Sequence, residues 1–231
     1  MAPTEINILS AGAVAPGLKK ISEEFHRETH QRIHLTFATA PAILERLRDS
    51  TSMDLVIAPS TVLDGLARDE RISSESRVLL GRVGVGIMVR AGAPEPPIAT
   101  IEELRKSLLD ATSVVFNRAS TGMYLENLFE RLGIAADLER KSIRYPDFGA
   151  VLDHVSHGGN DEIGFGATTV IAENSHKSVT FVGPLPAEIQ NYTAYEAQVV
   201  QNGAANAAAR HFIEYLGSPQ AKSVLMQAGI V

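Results

Sequence analysis

The sequence of 231 residues predicts an α/β protein folded as two lobes. Three observations lead there. Short apolar runs alternate with helix-period segments along the whole chain, a pattern that builds a sheet covered by helices. Two longer extended runs, 81–90 and 192–200, bracket a middle block that repeats the strand–helix pattern of the first. Apolar residues make up 45% of the chain and are spread along it, so each block has material for a core. The economical arrangement is a first lobe of residues 1–83 and 193–231 and a second of residues 84–192, joined by two crossings. A single continuous sheet is the alternative.

The elements follow in order. INILSAG (6–12) reads as a strand, and Pro16 suits the first turn of a helix whose apolar face carries Leu18, Ile21 and Phe25. RIHLTFA (32–38) alternates, with Ile33, Leu35 and Phe37 on one face, and Pro41 opens a helix over AILERL. DLVIA (54–58) is a buried strand followed by a helix over TVLDGLA. GRVGVGIMVRAG (81–92) is a longer strand ended by APEPP, after which Thr100 and Glu103 form a capping box for IEELRKSLL. SVVF (113–116) is the next strand. Leu125, Leu128, Phe129 and Leu132 give the helix after it an apolar face that Gly133 stops. SIRY (142–145) is a strand, and Val151, Leu152 and Val155 mark a helix ending near Gly158 and Gly159. EIGFG (162–166), SVTFV (178–182) and YTAYEAQVV (192–200) are strands. A helix start falls at Ala167–Thr169, and two C-terminal helices break at Gly217–Ser218–Pro219.

Composition excludes several classes. There is no cysteine, hence no disulfide, thiolate metal site or cysteine nucleophile. The net charge of −6 argues against nucleic acid as a partner. No stretch approaches the ~18 apolar residues of a membrane span. The start, MAPTEINILSAGAV, lacks a basic region followed by an apolar one, so the expected location is cytoplasmic as the sequence stands, and periplasmic if a signal segment has been removed. Neither G-x-G-x-x-G nor a P-loop nor G-x-S-x-G occurs, and no cofactor is expected. His26, His30 and His34 recur every four residues without a carboxylate that would complete a metal set. No metal is expected.

Three stretches place small polar residues between an apolar strand and a helix: SAGAVAP (10–16), FATAPA (37–42) and FNRASTG (116–122). Ligands of α/β sheets bind at such edges, and free amide donors at a helix start favour an anion. In the third stretch Ser120 or Thr121 either caps the helix or holds a ligand, Gly122 eases the turn, and Asn117 bonds its own loop or the ligand. The Arg118 fork, unless merely solvated, fits a carboxylate in a bidentate pair. Asp161 and Glu162 are expected to cap or to sit in a surface turn. Gly164 and Gly166 flank Phe165 as glycines do where backbone approaches closely, and Thr168 either donates to a ligand or caps the next helix. His157 is placed to meet a helix C-terminus.

Taken together, SAGAVAPGLKKISEEF, FATAPAILERL, DLVIAPSTVLDGL, STGMYLENLFERLGI, GGNDEIGFG, VGPLPAEIQ and AARHFIEYLGSPQAKSVLMQAG resemble, in order and spacing, the molybdate-binding-protein-like (type 2 periplasmic) substrate-binding proteins. The resemblance implies two α/β lobes with a central cleft and a two-strand hinge. It also implies an oxyanion held by hydroxyls and backbone donors from two early edges of the first lobe and by groups of the second. Ala13 stands where molybdate binders carry their first serine, Thr39 is the hydroxyl left at the second edge, and GFGATT replaces a tyrosine-bearing strand end. Hydroxyls lost and Arg118 gained argue against molybdate and for a carboxylate. STGMY…LFERLGI, DEIGFG and VGPLPAEIQ are similar to the branch that includes aconitate isomerase, which implies a di- or tricarboxylate.

The expected function is therefore binding of a small organic anion by Ala13, Thr39, Asn117, Arg118, Ser120, Thr121, Gly122 and Thr168, with a transporter as partner only if the protein is exported. The alternative is an isomerase that moves a proton between allylic carbons, which needs a base beside the substrate carbon. Glu162, His154 and Tyr124 are the nominees, and no catalytic residue is assigned. A weaker alternative is a tetrahedral oxyanion such as molybdate or sulfate.

Overall fold

The computed structural model describes residues 5–49, 52–69, 72, 77–175, 178–200 and 206–231. Its contacts divide the chain into two compact units, Met1–Val83 with Thr193–Val231, and Gly84–Tyr192.

In the first unit, β1 (Glu5–Ala11) leads through a 3-10 turn into α1 (Ala15–Thr29), β2 (Arg32–Ala38) into α2 (Ala40–Asp49), and β3 (Leu55–Pro59) into α3 (Ser60–Arg68). β1 lies between β2 and β3 and is parallel to both. β3 is buried along its whole length, as its unbroken apolar run requires. On its other side it pairs antiparallel with β9 (Tyr192–Val199). α9 (Ala207–Leu216) and α10 (Pro219–Gln227) complete the unit, with Pro219 at the start of α10 and Ser218 capping it. Leu18, Ile21 and Phe25 of α1 are fully buried, and the Phe25 ring meets Phe212 of α9 edge-on at 4.9 Å. Each such side chain contributes about 1.5–3 kcal/mol by leaving water.

β4 (Val78–Arg90) begins three residues before the run that predicts it and carries the chain into the second unit. There follow α4 (Ile101–Asp110), β5 (Ser113–Asn117), α5 (Ser120–Arg131), α6 (Ala135–Leu138), β6 (Ser142–Tyr145), α7 (Phe148–His157), β7 (Glu162–Ala167), α8 (Thr168–Asn174) and β8 (Val179–Pro184). β5 lies between β6 and β7, parallel to both, and β7 pairs antiparallel with β4. β8 pairs with β4 through a register shift at Ile87/Met88. The second unit thus repeats the first: a central strand, two parallel neighbours, and one antiparallel strand that crosses between units. Both are mixed sheets flanked by helices.

Alternation sorts the second unit's side chains onto two faces. Val114, Phe116, Ile163 and Phe165 pack against Leu104 and Leu108 of α4 and Leu125, Leu128 and Phe129 of α5. Met88 and Val115 pack against Val151 and Val155 of α7. The capping box is present: Thr100 Oγ1 accepts from Glu103 N–H at 3.1 Å, and Glu103 Oε2 accepts from Thr100 N–H at 3.1 Å. Among the described residues no helix is long and apolar enough to cross a membrane.

Candidate functional site

In the first unit the central strand and its neighbour end together, with Ala11 and Ala38 as partners, so Ala13 and Thr39 leave the sheet at one edge. Ser10 is buried and its hydroxyl donates to the Ala11 carbonyl at 3.2 Å. Gly12 faces outward: a Cβ built on it would find no atom within 4 Å. Ala13 sits half-buried in the 3-10 turn. The Thr39 carbonyl accepts from Ile43 N–H at 2.8 Å and so begins α2. Its hydroxyl has no partner among the described residues.

In the second unit the equivalent edge is the β5–α5 junction. The Asn117 side chain bonds its own loop, Oδ1 accepting from Ala119 N–H at 3.0 Å, and the Arg118 N–H donates to the Tyr145 carbonyl at 2.8 Å. These two bonds fix the turn. Ala119 is consequently the residue before the helix, and Ser120 and Thr121 are its first two residues, without a capping bond. The expectation that one of them caps α5 is corrected: the helix begins at Ser120, so both residues lie inside it and the capping position falls to Ala119, which has no side-chain acceptor. Both hydroxyls, half-buried, are left without a protein partner among the described residues, as is the exposed Arg118 guanidinium. The first amides of α5 have no acceptor within the helix. Gly122 does more than ease a turn. Any Cβ there would collide with the Asn117 carbonyl oxygen, so glycine lets α5 start against the end of β5.

Thr168 opens α8 one strand over, at the same edge of the sheet, following Ala167, and makes no capping bond. That half of its expected role is corrected too. Gly164 and Gly166 mark close approach, as expected: a Cβ on the first would meet Val155 and Met88, and on the second the Phe148 ring.

The nominated bases lie elsewhere. Glu162 begins β7, as the strand EIGFG predicts, and is not in a surface turn; it is level with Ser113 and four residues from Asn117, about 13 Å along the strand. His154 is tied to it, Nε2 to Oε2 at 3.3 Å, and its Nδ1 meets the Tyr145 hydroxyl at 2.8 Å. The Tyr124 hydroxyl donates to the Ile189 carbonyl at 2.5 Å. His157 Nδ1 lies 2.9 Å from the Asp153 carbonyl at the end of α7, as its position predicts. His26, His30 and His34 are exposed, and among the described residues no group of acidic and histidine side chains gathers to hold a metal.

Repetition between the units brings out one residue outside the three small-polar stretches, a serine at a further sheet edge in PSTVLDG (59–65). Ser60 opens α3 as Thr168 opens α8, and its hydroxyl donates to the Ala194 carbonyl at 3.4 Å. Its carbonyl accepts from Arg77 NH2 at 2.9 Å, while the same guanidinium pairs with Asp64 and Glu196. Burial pulls the Arg77 pKa down, but hydrogen bonds to Asp64 and Glu196 outweigh it and the net shift is upward. Arg77 is thus engaged within the first unit, in contrast to Arg118. The place of Ser60 at a strand end is legible in PSTVLDG, and the repeated strand–helix module sets it beside Thr168.

The model of the bacterial extracellular solute-binding protein family matches residues 6–231. Aconitate isomerase from a Pseudomonas species is 26% identical over 235 residues, covering 98% of this chain and 87% of that protein. The periplasmic molybdate-binding protein of Azotobacter vinelandii has a similar structure at TM-score 0.81 and 15% identity, covering 98% of each chain. Peb3 from Campylobacter jejuni, solved with L-phospholactate bound, is similar at TM-score 0.75 and 15% identity, covering 97% of this chain and 98% of that one.

Proposed function

Since the chain belongs to the bacterial extracellular solute-binding protein family and has the type II periplasmic-binding fold of the molybdate-binding proteins, we propose that its ligand is a small organic anion of the di- or tricarboxylate class. One observation carries the reading. At the β5–α5 junction an exposed guanidinium without a protein partner among the described residues, two hydroxyls without one, and the first amides of α5 occur within five residues, Arg118 to Gly122. A planar fork beside hydroxyls and free amides matches a carboxylate better than a tetrahedral metal oxyanion. Ala13 and Thr39, with Thr168, are the remaining proposed contacts. The ligands named for two relatives, molybdate and L-phospholactate, are themselves anions, and the second carries a carboxylate.

The second reading, an isomerase acting on aconitate, is favoured by the 26% identity to that enzyme across nearly the whole chain. It requires a base at the substrate carbon. Glu162 and His154 are engaged with each other at the opposite end of the strands from Arg118, and Tyr124 with a backbone carbonyl. Binding without chemistry therefore leads.

The test is proton NMR of the purified chain with trans- and cis-aconitate in deuterated buffer. Broadened ligand lines without conversion are the expected result. Interconversion with deuterium entering the methylene position would replace the binder with the isomerase. Unaltered spectra with both isomers would end the aconitate reading.

A further inference from the structure

Four buried polar atoms of the second unit have no hydrogen-bond partner among the described residues: Arg90 Nε, Ser113 Oγ, His154 Nε2 and Glu162 Oε2. The sheet gathers them. Ser113 and Glu162 are register partners on β5 and β7. On the antiparallel pair β4 and β7, Met88 is the partner of Gly164, and Arg90 and Glu162 lie two positions beyond these partners on their own strands, at the same end of the pair. Side chains two apart share a face. Met88 and Val115 pack against α7, which puts Arg90, Glu162 and Ser113 on the face that α7 covers. His154 comes down from α7 onto the same face, its Nε2 3.3 Å from Glu162 Oε2 yet not hydrogen-bonded to it. Ser113 is only 6% exposed. Arg90 is held from its far end by a hydrogen bond from NH2 to Asn160 Oδ1.

The chemistry of the four atoms defines what fits among them. Arg90 Nε can only donate, and an ionised Glu162 can only accept. His154 Nε2 faces that carboxylate and so carries a proton, whether Nδ1 accepts from the Tyr145 hydroxyl or is itself protonated. The Ser113 hydroxyl completes whichever role is left open. The set asks for an occupant that accepts two hydrogen bonds and donates two. An anion would be opposed by Glu162, and a cation by Arg90, with only one carboxylate and one imidazole to ligate it. Left dry, the four atoms would have among them only the 3.3 Å contact of His154 with Glu162, and Arg90 Nε and Ser113 Oγ would each lose about what a hydrogen bond contributes in a low dielectric.

We infer that an internal water molecule is bound beneath α7, accepting from Arg90 and His154 and donating to Glu162 and Ser113. It joins the Tyr145–His154 pair to β4, β5 and β7 in one network. The inference concerns a different part of the unit from the proposed anion contacts and stands or falls independently of them.

A crystal structure of the whole chain, at a resolution that shows ordered solvent, tests it. The expected result is one isolated solvent peak within about 2.7–3.2 Å of at least three of the four atoms. Direct pairing of the four side chains with no peak among them would overturn the inference, and so would extended density from a larger molecule. In solution, a long-lived internal water should give magnetisation transfer from water to the amides of Val114 or Ile163. Absence of transfer at both would likewise count against it.

Discussion

The side-chain amide of Gln190 closes both backbone groups of Val85. Val85 N–H donates to Gln190 Oε1 at 2.8 Å, and Gln190 Nε2 donates to the Val85 carbonyl at 3.0 Å. A side chain here does what a neighbouring strand does elsewhere in a sheet, at the point where β4 enters the second unit. Gly84 leaves room for it, since a Cβ there would lie 3.2 Å from Gln190 Cδ. The carbonyl has a second donor in Leu185 N–H, and the amide of Val85, a residue 3% exposed, has its side-chain acceptor in Gln190. Gln190→Ala should therefore destabilise by about 1–3 kcal/mol, the usual consequence of an orphaned buried donor. Urea denaturation would report it as a lower midpoint at unchanged slope. An unmoved midpoint would mean that solvent serves the amide equally well.

Gly122 and Gly12 make a matched pair of opposite expectation. Gly122→Ala drives a methyl into the Asn117 carbonyl and should cost about 3 kcal/mol, the upper end of the range for overpacking. Gly12→Ala meets open space and should stay within about 0.5 kcal/mol. Thermal unfolding of the two variants side by side distinguishes a required close approach from general sensitivity of strand ends.

Arg118→Ala tests the proposed anion contact. The side chain is exposed and without a protein partner among the described residues, so stability should not change. Loss of a charge-assisted pair worth about 1.5–3 kcal/mol should weaken trans-aconitate binding roughly 10- to 100-fold by calorimetry. Arg118→Lys keeps the charge but not the fork, and an intermediate affinity is expected. Equal affinity in all three proteins would remove Arg118 from the site.

Tyr195 gives a pH dependence. Burial, the larger influence, pushes its phenol up to about 12, against an opposing hydrogen bond with Thr193. The folded pKa lies above the unfolded value of 10.0, so the neutral phenol favours the fold. That contribution is complete below pH ~10 and is lost as pH rises from there towards ~12. Absorbance titration of tyrosinate should show one of the five tyrosines ionising last, together with unfolding. In Tyr195→Phe the alkaline fall in stability should be shallower.

Local period made most of this fold legible. The Leu125–Leu128–Phe129 stripe, the Thr100–Glu103 box and the Ser218–Pro219 break each lie within a few consecutive residues, and each is where the sequence puts it. The four-residue α6 was not legible, being too short to show a period. The caps at Ser120 and Thr121 misread because the helix starts one residue earlier than a hydroxyl cap would place it, after a turn fixed by Asn117 and by the Arg118 amide on Tyr145, and a preference for hydroxyls at helix starts cannot foresee that turn. Glu162 was legible as the first residue of a strand, but its partners were not. The glycines before it signal a turn, while its neighbours come from β5 by register and from α7 through His154, and neither is written in any one segment.

The open flank at Gly12 bears on how such a protein could be altered. Most residues at the strand ends are held by a carbonyl, a ring or a neighbouring helix, so a change there disturbs the scaffold. Gly12 has no such tie to its side-chain position. A hydroxyl or a thiol for a fluorescent reporter introduced at this position starts from a Cβ with no neighbouring atom, one residue from the proposed contact Ala13, so it could be used to probe that contact while the scaffold is left as it is.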